Sequence, residues 1–280
     1  MRSTIPRWAV TLWGAAFACF GASVEVHFKL TPRVVVESRV SAALKDNVAR
    51  GEKLRIMFEE AGCPAGRLEL QPVRKVRAPN VICTVPGESG STIVVGAHFD
   101  HAEVGLGVID NWSGASLLPS LLESVRSVPR RHTFVFAGFT GEEEGLLGSH
   151  YYVGHLAPGD LKRIVAMINF DSVGAGPVEV QVTTAGKDLL TRLLNTANSI
   201  QVPVRRMDFD QIATSDYASF RGKKVPTLVL HSMTPQTLHL LHSADDNMKA
   251  LRMDDYYDTY RLLAQYLALL DVMLDPPAER

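Results

Sequence analysis

Three short apolar runs constrain the fold of this chain more than any other feature. They read STIVVGA (residues 91–97), HTFVFAGF (132–139) and RIVAMINF (163–170), and each contains few polar residues. A strand with such a sequence has to be covered on both faces, which is typical of parallel sheets in α/β proteins. Segments with helical spacing separate strand-like runs, and this alternation predicts a mostly parallel central β-sheet with helices on both faces.

The remaining segments extend this pattern to a single domain over residues 38–275. One helix is predicted over 38–61, where an apolar stripe would contain Val40, Leu44, Val48, Leu54, Met57 and Phe58. Further helices are predicted over 110–127, 145–156, 187–199 and 247–274, and further strands over 67–76, 81–85, 178–183 and 225–231. No internal repeat, low-complexity tract or linker follows residue 40, which favours one α/β domain.

Residues 1–24 differ from the rest of the chain. Arg2 and Arg7 flank the start, and residues 8–23 form an uncharged apolar run that ends in small residues. The run is shorter than the roughly 20 residues of a membrane helix, and the whole pattern is typical of an export signal. An uncleaved membrane anchor is the alternative. We therefore expect an exported protein, periplasmic or extracellular, that is either released or tethered to the membrane by this segment.

Cysteine content bears on the redox state of the compartment, and net charge bears on nucleic-acid binding. Outside the N-terminal run, the cysteines are Cys63 and Cys83. They could pair in an oxidising compartment, and two buried thiols are the alternative. The formal net charge is -1 and no basic run is present, so nucleic-acid binding has no electrostatic support.

Acidic residues and histidines follow the apolar runs and recur in two further segments, one between the first two runs and one after the last. These residues are His98 and Asp100, Asp110-Asn111, Glu142-Glu143-Glu144, Asp171, and His242 with Asp245-Asp246. In an open α/β sheet, ligands bind outside the carboxyl ends of the strands, so we expect these side chains to form one site. Imidazoles and carboxylates without a thiolate suit Zn²⁺, with Mn²⁺ or Co²⁺ as alternatives.

Each of these segments also has a simpler structural interpretation. Asp110 could bridge two metal ions through its two oxygens, or it could cap a helix. In the glutamate triplet, one carboxylate could ligate metal while a neighbour acts as general base. The same triplet would also be stabilised at a helix N-terminus. Asp100 could orient the imidazole of His98, or make an ordinary hydrogen bond at the end of the strand.

Seven motifs, in order along the chain, resemble those of the di-zinc exopeptidase family that includes bacterial leucyl-type aminopeptidases and aminopeptidase Y. They are GAHFDH, IDNWSGA, TGEEEGLLGS, NFDSVG, TSDYASF, KVPTLVL and LHSADD. The resemblance implies a zinc-exopeptidase-like fold that holds two Zn²⁺ per chain. His98 and Asp171 would complete one zinc site, Glu143 and His242 the other, and Asp110 would bridge them. Glu142 would be the general base, Asp100 would orient His98, and Asp216 and Asp246 match family positions near the site.

The activity that this resemblance implies is that of a metallo-aminopeptidase. Its substrates would be peptides with a free N-terminus, and Glu142 would move a proton from the attacking water to the leaving amine. Two positions depart from the family pattern: Leu241 stands where a tyrosine often precedes the last histidine ligand, and Tyr217 replaces the histidine of a Ser-Asp-His element. There are two alternatives. One is a single-zinc glutaminyl-peptide cyclotransferase, a more distant relative of the di-zinc exopeptidases, and the other is an inactive binding domain on the same scaffold.

Overall fold

The computed structural model describes residues 15–19, 22–207 and 214–275. The predicted export or anchor segment, residues 1–24, lies mostly outside these ranges, and its role stays a prediction. Within it, Ala15–Cys19 (β1) and Ala22–Val26 (β2) pair as antiparallel strands. Among the described residues, none of the helices is both long enough and apolar enough to span a membrane.

The remaining described elements alternate between strands and helices along the chain. The strands are β3 (Leu68–Gln71), β4 (Asn80–Val85), β5 (Thr92–His98), β6 (Thr133–Phe139), β7 (Ile164–Phe170), β8 (Glu179–Gln181), β9 (Arg205–Met207) and β10 (Thr227–His231). The α-helices are α1 (Arg33–Val40), α2 (Asn47–Glu60), α3 (Ser113–Val125), α4 (Leu147–His155), α5 (Pro158–Arg163), α6 (Lys187–Ser199), α7 (Tyr217–Arg221) and α8 (Met253–Met273).

Strands β3 to β10 form one mixed sheet in the order β3-β4-β6-β5-β7-β10-β8-β9. The four central strands, β6, β5, β7 and β10, are parallel to one another. Antiparallel pairs flank them, since β4 runs against both β3 and β6, and β8 runs against β10. The predicted α/β class is confirmed, and the parallel pairing is concentrated at the centre of the sheet.

Helices cover both faces of the sheet, as predicted. Side chains alternate along a strand, so Ile93 and Val95 of β5 join the larger core with α1, α2, α3, α6 and α8. Val94 points to the opposite face and packs in a smaller core with Tyr152 of α4 and Phe220 of α7. Both faces of the central strands are therefore apolar, which explains the unbroken apolar runs in the sequence.

The helix predicted over residues 38–61 is wrong in its first half. The chain forms two helices instead, α1 and α2, and Leu44 and Val48 from the expected stripe are exposed. The break has a local cause. Asp46 caps α2, because its side chain accepts the N–H of Ala49 at 2.8 Å, and such a cap competes with continuation of the preceding helix.

Three further boundaries differ from the prediction. The strand expected over 67–76 ends at Gln71, directly before Pro72, which cannot donate to a strand ladder. The strand expected over 178–183 is confined to β8. The last helix begins at Met253 rather than at residue 247, because the preceding turn contacts another loop: the N–H of Arg252 donates to the carbonyl of Gly174 at 2.8 Å. The other predicted elements agree with the structure to within a few residues.

A disulfide bond joins Cys63, just after α2, to Cys83 in β4. Of the two alternatives that the sequence left open, the structure therefore has the paired one. The bond fixes the helix to the hairpin that forms one edge of the sheet.

Candidate metal centre

The carboxyl ends of three parallel strands bring most of the predicted site residues together. His98 is the last residue of β5, Glu142 and Glu143 follow β6 after a short turn, and Asp171 directly follows β7. Strand β5 lies between β6 and β7, and His98 pairs in register with Phe139, the last residue of β6. All of these side chains therefore lie together at the carboxyl ends of the central strands.

Two loops that lie next to the carboxyl ends of these strands complete the site. Asp110 lies in the turn that precedes α3, and His242 lies in the connection between β10 and α8. Gly105 lets the two loops approach each other. Its φ angle is 83°, and a Cβ at this position would lie 2.2 Å from the carbonyl oxygen of Ser243. Only glycine fits there, because any side chain would clash with the backbone next to His242.

Asp110 lies between the two histidines and presents one carboxylate oxygen to each. Its Oδ1 is 3.3 Å from His98 Nε2, and its Oδ2 is 3.4 Å from His242 Nε2. On one side, Asp171 Oδ1 lies 3.5 Å from His98 Nε2. On the other, Glu143 Oε2 lies 2.8 Å from His242 Nε2. The arrangement is that of two adjacent donor groups that share one carboxylate.

Two groups of potential metal ligands result from this arrangement. The first consists of His98, Glu142 and Asp171, and the second of Asp110, Glu143 and His242. Within each group the donor atoms all lie within 4.8 Å of one another. The structure thus brings together the predicted ligands and the predicted base. It also places Glu142 among potential donors, although the family pattern implies a base that binds no metal.

The carboxylate of Asp100 makes a different contact from the one that the sequence suggested. His98 Nδ1 lies 3.1 Å from the backbone oxygen of Asp100 and 3.7 Å from its carboxylate. The carboxylate instead accepts the backbone N–H groups of Glu142 and Glu143, at 3.2 and 3.3 Å. Residue 100 therefore orients the imidazole through its backbone, while its side chain holds the turn that carries the two glutamates.

The buried imidazole of His98 provides a direct test of whether a metal ion fits. His98 is 1% exposed, and a hydrogen bond from Nδ1 to a carbonyl leaves the lone pair on Nε2. Nε2 makes no hydrogen bond of normal geometry, and the oxygens facing it belong to Asp110 and Asp171. A lone pair that faces carboxylate oxygens needs a positive charge between them. This charge is a proton on Nε2 in the metal-free protein, where the acidic neighbours outweigh burial and raise the pKa of His98, and a metal ion when one is bound. The donor set and the hydrogen bond on the second nitrogen both fit Zn²⁺.

The electrostatics of the metal-free site lead to the same conclusion. Burial, together with the charges of Asp171, Asp216 and Asp110, raises the pKa of Glu142 to about 9 against the opposing effect of His98. Burial and Asp110 likewise raise the pKa of Glu143 to about 7. Contacts with Asp110 and Glu143 raise the pKa of His242 to about 9, despite its partial burial. The site therefore holds more negative charge than its surroundings stabilise, and it retains protons unless a cation replaces them.

Several residues organise the site without belonging to either donor group. Asp246, whose role the sequence did not define, accepts the N–H of Ile109 at 2.6 Å and that of Asp110 at 3.0 Å. Asn111 donates to the carbonyl of Phe170 and accepts the N–H of Ser172, so it fixes the backbone on both sides of Asp171. An asparagine after an aspartate reads as a turn in sequence, and nothing there signals this contact.

Asp216 and a cavity lie beside the donor groups. Asp216 is fully buried, and its burial raises the pKa of its carboxyl to about 7. The cavity measures about 280 Å³, and its apolar wall includes Val229, Met233 and Leu241. Leu241 thus contributes to this wall at the position where the family pattern often has a tyrosine. A small apolar side chain next to the donor groups could be accommodated there.

Comparisons with known proteins agree with this site. A sequence model described as peptidase family M28 matches residues 80–267, which include all the residues of both donor groups. A probable leucine aminopeptidase 2 from Aspergillus oryzae is 29% identical over 201 residues, which are 67% of this chain and 40% of that protein. The chain thus spans less than half the length of this curated relative.

Solved structures share the fold. The LapA aminopeptidase of Legionella pneumophila superposes with a TM-score of 0.73 at 20% identity, over 86% of this chain and 71% of that one. BSAP, a zinc aminopeptidase from Bacillus subtilis, gives a TM-score of 0.62 at 24% identity, over 70% and 50%. A glutaminyl cyclase from an Acidobacteriales bacterium gives 0.70 at 18% identity, over 86% and 93%. The same scaffold therefore occurs in proteins named for two different reactions.

Proposed function

This chain belongs to peptidase family M28, and from that premise we propose that it is a two-zinc aminopeptidase that hydrolyses the N-terminal bond of peptides. One observation carries the proposal: Asp110 faces His98 with one oxygen and His242 with the other. Two-metal hydrolases hold their ions about 3.5–4 Å apart, and a shared carboxylate imposes such a spacing.

The ligand assignment follows from the two donor groups. His98 and Asp171 would hold one zinc ion, Glu143 and His242 would hold the other, and Asp110 would contact both. Zinc supplies Lewis acidity in such a site, because it polarises a carbonyl and lowers the pKa of water. His98 keeps its orientation through the bond from Nδ1 to the carbonyl of residue 100.

Glu142 is the proposed general base. It is only partly exposed and lies in the donor group of His98 and Asp171 without a hydrogen bond to either. The backbone bond from its own N–H to Asp100 fixes the turn on which it stands. Its carboxylate takes a proton from the attacking water and later delivers it to the leaving amine, which is the usual division of labour in general acid–base catalysis.

The family membership of the chain favours a substrate with a free amino terminus. Two zinc ions would offset the charge of the ligating carboxylates Asp110, Glu143 and Asp171. Glu142 also lines the cavity and is not a proposed ligand, so its carboxylate is the one that would attract a protonated α-amino group. The apolar wall beside Leu241 suits an aliphatic N-terminal side chain.

The single-zinc glutaminyl cyclase is the second candidate, because its fold matches this chain over nearly the whole length of the cyclase. The two complete donor groups favour the aminopeptidase, since a single-zinc enzyme needs only one of them. An inactive binding domain is disfavoured because the residues proposed as ligands and base are all present and clustered.

Zinc content and substrate choice together test the proposal. The purified full chain would be analysed for bound zinc, for hydrolysis of leucyl p-nitroanilide, and for cyclisation of a peptide with N-terminal glutamine. We expect two zinc ions and amide hydrolysis. One zinc ion with cyclisation alone would establish the cyclase instead, and two zinc ions without either reaction would leave only the binding domain.

We also propose that the domain matures outside the cytoplasm, in the periplasm or the extracellular medium. The Cys63–Cys83 disulfide supports this, because disulfides persist mainly in oxidising compartments. The basic and apolar pattern of residues 1–24 provides the export signal or, if it is retained, a membrane tether.

Cell fractionation with N-terminal sequencing would test export and tethering. A soluble mature protein that starts near residue 25 indicates cleavage, and a membrane-bound intact chain indicates a tether. Recovery of the intact, reduced protein from the cytoplasm would contradict export.

A further inference from the structure

A fully buried arginine lies behind the candidate metal centre. Arg50, in the first turn of α2, is 0% exposed, and its guanidinium donates to backbone carbonyls of two other segments. Nη1 donates to Leu106 O at 2.9 Å, Nη2 to Gly107 O at 2.9 Å, and Nε to Phe99 O. Nη1 also reaches Leu44 O at 3.2 Å, and the guanidinium lies 5.2 Å from the centre of the Trp112 ring.

These acceptors all matter for the site because of where they lie. Phe99 stands between His98 and Asp100, while Leu106 and Gly107 begin the turn that carries Asp110. One rigid, planar group therefore joins the start of the β5–α3 loop, residues 99–112, to its middle, three residues before Asp110. A guanidinium suits this task, since its five donors have a fixed geometry that a lysine ammonium does not reproduce.

The charge of Arg50 is balanced by the site and not by a direct partner. No carboxylate of the described residues forms an ion pair with it within 4.0 Å. Burial lowers the pKa of Arg50 to about 10, and the opposing charges that raise it come from Asp100, Asp246, Asp110 and Glu143. The guanidinium therefore stays protonated at neutral pH, and the acidic residues of the site stabilise it.

Asp246 holds the same turn from the opposite side with the opposite charge. Its carboxylate accepts the N–H groups of Ile109 and Asp110, and its backbone oxygen accepts the N–H of Leu106 at 2.9 Å. Arg50 meanwhile binds the carbonyl of Leu106. The turn is thus held between a buried anion on its N–H groups and a buried cation on its C=O groups.

We propose that Arg50 is a positioning residue for the metal centre, which holds the β5–α3 loop so that Asp110 can face both donor groups. The inference rests on the proposed two-metal function. It concerns a residue outside the stretch that the family model matches, because Arg50 precedes residue 80. Loss of the guanidinium would leave the carbonyls of Phe99 and Leu106 without this donor and Gly107 O with the N–H of Trp112 alone. Asp110 could then move, which weakens metal binding even where the fold survives.

Arg130 provides a matched control. It is 4% exposed, and it also donates to backbone carbonyls, those of Val125 and His27. It lies just before the amino end of β6, whereas the site lies at the carboxyl ends of the strands. Replacing it removes a buried cation, its hydrogen bonds to carbonyls and its ion pair with Asp271, at 3.6 Å, without touching the β5–α3 loop.

The test compares Arg50→Met, Arg50→Lys and Arg130→Met in the full-length chain. Zinc affinity would be measured by competition with a chromophoric chelator, and thermal unfolding would be followed on the metal-free proteins. We expect Arg50→Met and Arg50→Lys to weaken at least one zinc site about 10–100-fold, the usual effect of residues that support ligands. Arg130→Met should lower the unfolding temperature and leave zinc affinity at the wild-type value.

Three results would overturn the inference. The first is wild-type zinc affinity in a folded Arg50→Met variant. The second, for the case in which Arg50→Met does not fold, is wild-type zinc affinity in Arg50→Lys. The third is a loss of zinc affinity in Arg130→Met equal to that in the Arg50 variants. Catalytic assays are not needed for this comparison. A wild-type protein that binds two zinc ions but hydrolyses no peptide would refute the proposed activity and leave the role of Arg50 to be decided by the affinities.

Discussion

Asp246 accepts the backbone N–H of Asp110 at 3.0 Å, although the two residues are 136 positions apart in the sequence. The contact joins the connection that carries His242 to the turn that carries the shared carboxylate. The two histidine-bearing halves of the site are therefore linked through a backbone contact as well as through Asp110 itself.

Asp246→Asn should weaken zinc binding about 10–100-fold while the protein stays folded. The amide keeps one acceptor oxygen but turns an NH₂ group towards a backbone N–H, so either Ile109 or Asp110 loses its partner. Zinc titration would measure the effect. Asp245→Asn is the control, because Asp245 is exposed and directly precedes Asp246. An equal loss of zinc affinity in Asp245→Asn would point to a general charge effect.

Asp110→Asn should reduce the zinc content from two ions to one or none. The substituted amide offers a single neutral oxygen, so it cannot face His98 and His242 with two equivalent ligands. Elemental analysis of the purified variant would measure the stoichiometry. Two tightly bound zinc ions in this variant would rule out the shared-carboxylate assignment.

Glu142→Gln should lower kcat for a leucyl amide by about 10²–10⁴-fold and leave two zinc ions bound, because it removes proton transfer and no proposed ligand. Steady-state kinetics and metal analysis on the same preparation would show this. Glu144→Gln is the matched control, since Glu144 is exposed and lies two positions from Glu142 in the same triplet. Loss of zinc in Glu142→Gln would instead identify Glu142 as a ligand of the group with His98 and Asp171.

The metal-free protein should lose stability as the pH rises. Between the ordinary carboxyl pKa of 4.5 and the native value of about 9, native Glu142 binds a proton that the unfolded chain has released. His242 acts in the same direction between 6.5 and about 9. The native state therefore binds more protons than the unfolded state, and its free energy of unfolding falls as the pH rises.

Thermal unfolding from pH 5 to pH 9, with chelator and with zinc, would check this dependence. We expect a falling unfolding temperature with chelator and a flatter, higher curve with zinc, because bound zinc replaces the protons as counter-charge. Glu142→Gln should reduce the slope for the metal-free protein. A chelated wild type whose unfolding temperature is constant over this range would contradict the electrostatic account.

Replacing Cys63 and Cys83 together by serine should lower the free energy of unfolding by about 3 kcal/mol, the value for closing a loop of this length. The two cysteines are 20 residues apart and neither belongs to a donor group, so zinc content should not change. Denaturant unfolding would measure the loss. A reducing agent should destabilise the wild type by a similar amount and have no effect on the double variant.

Local sequence patterns determined the elements and the composition of the site. Apolar runs without polar residues predicted β5, β6 and β7 because strands covered on both faces need such sequences. Metal-type residues directly after these strands predicted a common site, because parallel strands end at one edge. The same reasoning failed for residues 38–61, where one capping contact from Asp46 outweighed a continuous helical pattern.

Only the tertiary structure decided how these residues act on one another. The sequence could not show that the carboxylate of Asp100 holds the backbone of Glu142 and Glu143, or that Cys63 meets Cys83. Nor could it single out Arg50, which stands in a helix with charged neighbours and reads as a surface residue. Its role depends on burial and on carbonyls from distant segments, and those contacts exist only once the chain has folded, because backbone acceptors have no signature in the sequence.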